Sequence, residues 1–173
     1  MLADKDTAKS SKDSVAMREK SLRENPLFAI MSPSQQQNTP VLGYIKGTDT
    51  AKFNEYLALP GVKGIFPPNF KFMFGAKPNE DIQAKNIFEV YAVKGAYNSL
   101  KPTMGGDVVT SARDNVDATQ KIVVEMSMNA EGSQKWRKMT AENVGKFVGI
   151  ALDNGICSAP RVNGEIPGGN TQL

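Results

Sequence analysis

Hydrophobic residues recur along this chain with two different periods, and the last third shows both most plainly. Ile122, Val124, Met126 and Met128 occupy alternate positions, which predicts a half-buried strand with those four side chains on one face. Asn129 follows as a side-chain oxygen placed to cap the first N–H groups of a helix. Trp136, Met139, Thr140, Val144 and Phe147 then trace one helical stripe, while Lys135, Arg137, Lys138 and Glu142 lie off it. Gly145 suits the left-handed position that ends such a helix. Phe147 to Leu152 is a nearly unbroken apolar run, which predicts a strand covered on both faces. Asp153-Asn154-Gly155 predicts a tight hairpin, because Asn-Gly tolerates positive φ. Ile156 to Ala159 returns, and Pro160 limits how far pairing extends. The predicted unit is strand, helix, strand, hairpin, strand.

The earlier two thirds are less regular. Residues 1–12 are a polar, charge-mixed lead-in with little to bury and read as a flexible segment. From Asp13 the spacing of Val15, Leu22 and Leu27 permits an amphipathic helix ending near Asn25-Pro26, since a residue before proline disfavours helix. Ser32 to Pro40 reads as a polar loop and Val41 to Ile45 as a short strand. Thr48-Asp49-Thr50 offers caps for a helix carrying Phe53, Tyr56 and Leu57 on one face, ended by Pro60-Gly61. Phe70, Phe72 and Phe74 alternate along a strand and predict an aromatic row in the core, with a peptide-stacking ledge as the minor reading. Ile87 to Val93 is a further strand. Val108 to Asn115 reads as one or two helical turns, followed by a polar turn through Thr119-Gln120. The fold class predicted is α+β: a mainly antiparallel sheet with helices packed on one face, in one domain over residues 13–173.

Composition narrows the chemistry. The 173 residues are 40% hydrophobic and 23% charged, with a net charge of +3 from 21 basic and 18 acidic residues. That balance lacks the basic face or run of a nucleic-acid binder. Lys135, Arg137 and Lys138 read as a solvated helix face. Histidine is absent. The usual general base near neutral pH, the Ser–His and Cys–His nucleophile pairs and the commonest transition-metal ligand are therefore unavailable. With one cysteine there is no intrachain disulfide framework and no multi-cysteine zinc site.

Local motifs add little chemistry of their own. Thr103-Met104-Gly105-Gly106-Asp107 suggests a phosphate loop only superficially, since the Gly-x-x-x-x-Gly-Lys pattern is missing. Cys157 in an apolar strand reads as packing. Ser158 has Ala159 and Pro160 as neighbours and no adjacent base, so it reads as a small strand residue rather than a nucleophile. Asn143 beside the stripe reads as satisfying backbone groups near the helix end. No stretch reaches the roughly 20 apolar residues that span a bilayer, and the charged N-terminus has no signal-peptide apolar region. Gly168 to Leu173 reads as the start of a further strand.

Taken together, Gly106-Asp107-Val108-Val109 with Ala112, the run Val124 to Met128, Glu131-Gly132, Trp136, Thr140, Asn143, Gly145-Lys146, Ile150 to Asp153, Ser158-Ala159-Pro160, Val162, Ile166 and Gly168-Gly169 resemble the large first periplasmic domain of SecD. The resemblance is ordered and spans residues 105–169. Asn25-Pro26-Leu27, Asp49-Thr50-Ala51 and the strand near Tyr91 look like the form found in Bacteroidetes-type SecD–SecF fusions. What the resemblance implies is a head-like subdomain on the periplasmic side of the bacterial inner membrane, joined to the membrane only through flanking segments absent here. It implies a role in protein export assisted by the proton-motive force, with the emerging unfolded polypeptide and other Sec translocase subunits as partners. The family's proton-relay residues lie in membrane helices, and none has a counterpart in this chain.

The function expected is contact with the exported polypeptide; the alternative is a structural module docking to other envelope subunits without touching substrate. Neither is enzymatic, and no catalytic residue, cofactor or metal is expected. Eight methionines suit an adaptable apolar surface, and an exposed strand edge is a second physical route to polypeptide capture. The candidate contact residues are Arg161, Val162 and Ile166, after the hairpin, with the groove bordered by the Trp136 helix.

Overall fold

The fold is taken from a computed structural model, which describes residue 20 and residues 23–96, 98–116, 120 and 122–172. The lead-in over residues 1–12, Val15, Leu22 and Thr119 lie outside the described residues. The chain forms two compact units, one containing residues 23–65 and 78–90, the other residues 66–77 and 91–172. The pairing is mainly antiparallel and mixed with a few helices, the α+β class expected from the sequence.

In the first unit, helix α1 (Pro26–Ile30) leads into strand β1 (Met31–Pro33), which pairs antiparallel with β2 (Val41–Lys46). Pro26 stands at the start of α1, where its missing N–H costs nothing. Part of the expected Ser32 to Pro40 loop is thus strand. β2 alternates as its sequence requires, with Val41, Gly43 and Ile45 buried. A 3-10 turn over Gly47–Asp49 precedes helix α2 (Thr50–Ala58), and Thr50 Oγ1 donates to Gly47 O at 2.9 Å. Phe53 is the buried anchor of α2. Leu59 is extended, as a residue before proline prefers, and Pro60 opens a further short helix, α3 (Pro60–Lys63). Proline here ends one helix by starting another.

Strand β4 (Ile87–Lys94) runs from the first unit into the second. In the second unit β3 (Phe70–Gly75) pairs in parallel with β8 (Gly155–Ser158), and β8 pairs antiparallel with β7 (Ile150–Leu152). The buried residue of β3 is Met73, while Phe70, Phe72 and Phe74 are only half-buried. Phe66 stacks on Phe70 at 4.9 Å, and Phe72 meets both rings edge-on. The aromatic row therefore forms a half-exposed ring cluster, not the core that alternation suggested.

The hairpin is present, but its parts do different jobs from those expected. Asp153 and Asn154 are the two turn residues, with φ of 48° and 68°, and Leu152 faces Gly155 across the strands. Gly155 is needed for space: a Cβ there would lie 2.6 Å from Ala76 Cα, where Ala76 N–H donates to Ile156 O at 2.8 Å. The run Phe147 to Leu152 is not covered on both faces. Among the described residues only Ile150–Leu152 is strand, at the edge of its sheet, and Ala151 and Leu152 are exposed because no layer covers them. Cys157 is exposed as well, since its neighbour Ile156 takes the inward position.

The second sheet is a long antiparallel ribbon, β5 (Val109–Val116) with β6 (Ile122–Met128), and β9 (Asn170–Gln172) joins the other side of β6. β5 replaces the helical turns expected near Val108 to Asn115; its pairing with β6 along the whole ribbon outweighs weak local preference. Helix α4 (Ala130–Glu142) packs on this sheet, with Gly132 pressed so close that a Cβ would lie 2.8 Å from Val108 Cβ. Replacing Gly155 by Ala should cost about 1–3 kcal/mol through overpacking against Ala76, read as a lower urea midpoint, whereas Asn154→Gly in the turn should leave the unfolding free energy within about 0.5 kcal/mol of the parent.

Candidate functional site

Ile166 meets α4, while Arg161 and Val162 meet the chain just beyond its end. The helix starts and buries Trp136 and Thr140 as its sequence predicted but stops at Glu142, so Val144 and Phe147 leave the stripe and Val144 is exposed. Asn129 Oδ1 accepts from Gly132 N–H at 2.8 Å, the capping bond that starts it. Trp136 and Thr140, one turn apart on the stripe, are 4% and 1% exposed. Asn143 closes the helix and sends Nδ2 back to Met139 O at 2.8 Å. Gly145, at φ 79°, turns the chain in the left-handed region, but its N–H goes to Val162 O at 2.7 Å instead of back to the helix.

The segment from Pro160 to Gly169 returns along α4 as a strap. Val162 N–H donates to Lys146 O at 2.9 Å, Val148 N–H donates to Pro160 O at 3.0 Å, and Phe147 bridges Arg161 antiparallel. Arg161 Nε donates to Gly145 O at 3.1 Å. Farther on, Ile166 N–H donates to Thr140 Oγ1 at 3.0 Å, while that hydroxyl lies 2.9 Å from Trp136 O and 3.0 Å from Arg137 O. Arg137 Nε also pairs with Glu165 Oε1 across the same seam. Gly169 reaches β6, where Met128 N–H donates to its carbonyl at 2.8 Å, and a Cβ at that glycine would collide with Ser133 Oγ.

The structure thus brings Trp136, Arg161, Val162 and Ile166 to one seam of the second unit. Trp136 and Val162 are buried, Ile166 is half-buried, and Arg161 is exposed. The Trp136 indole Nε1 is buried without a hydrogen-bond partner among the described residues. The seam is a clasp holding a strap to a helix; Val162 is its buried strap residue, and Arg161 and the Arg137–Glu165 pair reach solvent from it.

Open apolar surface lies elsewhere, on the β5–β6 ribbon. Met128, Met126, Val124 and Ile122 share one face, as alternation predicted, but the cover changes along it. Met128 is buried under α4, Met126 is half-buried, Val124 is 43% exposed and Ile122 is 81% exposed. Val116, opposite Ile122, is 59% exposed. The far end of the ribbon therefore carries a core-like face that α4 does not cover. Sequence reading missed Val116 and placed Ile122 on a half-buried strand. The available signal was the β-branched trio Val109, Thr110 and Val116, which favours strand over helix.

The opposite face of the ribbon is polar. Arg113 Nη2 lies 2.8 Å from Glu125 Oε2, and Asn115 Nδ2 donates to Glu125 Oε1 at 2.7 Å. A cavity of about 550 Å³ lies beside this pair, and its lining includes Met126 and Thr171 as well as Arg113, Glu125 and Ser127. The Asn115 hydrogen bond, followed by that of Arg113, holds the Glu125 carboxyl below its ordinary 4.5. Because the folded value is the lower one, the contribution to stability is present above the unfolded value and is lost as pH falls through the folded one.

Two measurements check these contacts. Thr140→Val keeps the shape but leaves the Ile166 N–H without its acceptor, and should cost about 1–3 kcal/mol by urea unfolding, while Thr140→Ser should retain most of the parent stability. The Glu125 carboxyl, followed by carbon-detected NMR, should titrate below 4.5 and move back up in Asn115→Ala.

The sequence model of the family described as "SecDF, P1 head subdomain" matches residues 85–173. A protein translocase subunit SecD of Rhodothermus marinus is 35% identical over 150 residues, which is 86% of this chain and 23% of that protein. The corresponding subunit of Rickettsia bellii is 41% identical over 70 residues, 40% of this chain and 14% of that protein. The chain spans less than a quarter of either relative. Among solved structures, one described as "Crystal structure of SecDF in Super-membrane-facing form" aligns with a TM-score of 0.42 at 18% identity, over 76% of this chain and 19% of the other.

Proposed function

We propose, for a chain that belongs to the SecDF P1 head subdomain family, that it contacts the emerging unfolded polypeptide during protein export assisted by the proton-motive force. In this reading it is the periplasmic head of a Sec accessory protein of the inner membrane, held there by segments outside this chain. Among the described residues no helix is long and apolar enough to cross a membrane. Other Sec translocase subunits would be met through the full-length protein. The role is binding, without catalysis or cofactor.

The observation that carries the reading is the bare end of the β5–β6 ribbon. Val116, Ile122 and Val124 extend the face that α4 covers at Met128, so an apolar chain arriving there gains the burial that the helix does not provide. Each such side chain gains about 1.5–3 kcal/mol on full burial, enough for weak binding and too little for tight binding once association costs are subtracted. Weak, side-chain-tolerant contact is what a surface handling many polypeptides needs. The residues from the sequence-derived seam enter differently: Arg161 and Ile166 would flank the contact, with Trp136 and Val162 holding the strap in place.

Titration of this chain with an unfolded, apolar presegment peptide, followed by fluorescence anisotropy, should give saturable binding at high micromolar peptide. Ile122→Glu should weaken it several-fold while leaving the urea midpoint nearly unchanged, because the side chain is exposed. Absence of saturable binding, together with in-cell crosslinks from Ile122 only to envelope subunits, would favour a structural docking module over substrate contact.

A further inference from the structure

We infer that the outer edge of β5 binds an extended segment of the exported chain as an added antiparallel strand, apolar side chains on the Val116–Ile122 side and polar ones on the Arg113–Glu125 side. This rests on the reading of the chain as a polypeptide-contacting head and adds how, and which segments, it takes.

The strands at sheet edges are not alike. β1, β7 and β9 have three residues each, and β1 ends in Pro33, which has no N–H to offer. Short edges and proline are the usual means of keeping a sheet from recruiting further strands. β5 has eight residues, is exposed from Thr110 to Val116, and pairs with β6 on one side only among the described residues. Its irregularity falls between Val109 and Ser111, so Ser111 to Val116 runs in continuous register. That stretch has no proline and no lysine. Its one long charged side chain, Arg113, is turned to Glu125 on β6, not held out over the edge. Alternate backbone N–H and C=O groups along it face away from β6 at strand spacing. The Val116 N–H already donates to Asn115 Oδ1 at 2.8 Å, so the stretch offered to a strand is Ser111 to Asn115.

The two faces of the ribbon decide which strand fits. A chain laid along β5 would set one row of side chains beside Ala112, Asp114 and Val116, continuous with Val124 and Ile122, so that row is apolar at its two ends and meets the Asp114 carboxylate at its middle. The other row would lie beside Ser111, Arg113 and Asn115. A segment with apolar residues at every second position meets both faces; an apolar block followed by a polar block meets neither in full. The occupant is therefore a stretch of about five residues with strand-like alternation, recognised through its backbone and its pattern, not through individual side chains.

The experiment uses this 173-residue chain and three peptides of one composition: alternating Val and Thr, the same residues in two blocks, and the alternating peptide N-methylated at every second residue along one edge. The alternating peptide should bind, the block peptide several-fold more weakly, and N-methylation should lower affinity about tenfold through loss of backbone bonds. Hydrogen exchange followed by NMR should show the unprotected alternate amides between Ser111 and Asn115 becoming protected on binding. Equal binding of alternating and block peptides, or binding with unchanged β5 exchange, would overturn the added strand and leave polypeptide contact standing. No binding by any peptide would remove both. Protection of β5 that rises with protein concentration alone would assign the edge to a second copy and also overturn the inference.

Discussion

Thr140 on α4 has one hydroxyl and a buried position, and the second unit depends on how that hydroxyl is used. Its proton is directed into the helix, toward the carbonyls of Trp136 and Arg137, and its oxygen accepts the N–H of Ile166. The strap from Pro160 to Gly169 has no strand of its own except the single bridge at Arg161, yet buried backbone groups must find partners. They find them in Lys146, Gly145 and Thr140. The exposed Arg137–Glu165 pair adds orientation more than stability. Once the strap is fixed, Gly169 can meet β6 under Ser133, and β9 follows in register.

That arrangement also determines what is left bare. α4 begins at Ala130, immediately after β6 ends, so the strand and helix fold back on each other from the Met128 end. Cover is complete there, where Gly132 lets the helix approach Val108 and Met128 closely. It fades along the strand toward Ile122. A residue with a side chain at position 132 would lift the helix, and one at 169 would push the strap off β6. The two glycines concentrate burial at one end of the ribbon and leave the other end, with its long open edge, to solvent.

How much of this could be read from sequence follows from the range of each constraint. β6, the Asn129 cap, the Trp136–Thr140 stripe and the turn before Gly155 are local, and each was legible because its determinants lie within a few residues. β5 was not: Ser111, Ala112, Arg113, Asp114 and Asn115 carry no strand preference, and only the partner β6 makes them one. The failure at Phe147 to Leu152 has a related cause, since an apolar run shows willingness to be buried but not whether a layer is there to cover it. Phe70, Phe72 and Phe74 alternated correctly, but period alone cannot say which face turns inward, and Met73 took that place. Of the candidates chosen from sequence, Ile166 bonds to Thr140 on the Trp136 helix, and Arg161 and Val162 bond to Gly145 and Lys146 just beyond its end. The strap is tied to the helix by contacts 26 and 28 positions apart, beyond any local pattern.

The residues through which the chain resembles its family are spent inside the clasp. Thr140 holds Ile166, Asn143 closes the helix, Gly145 takes a left-handed turn and donates to Val162, and Gly169 fits where no side chain could. A group already committed to two or three internal hydrogen bonds has little left for a changing partner, and breaking such bonds on each encounter would cost more than a weak contact returns. Contact chemistry is therefore better sought where internal demand is lowest: the ribbon end, whose side chains are apolar and exposed, and the β5 edge, whose backbone groups repeat without regard to sequence. Backbone and shape are common to all polypeptides. On the function proposed above, such a head keeps its specific residues for its own architecture and leaves contact to features that every extended chain can match.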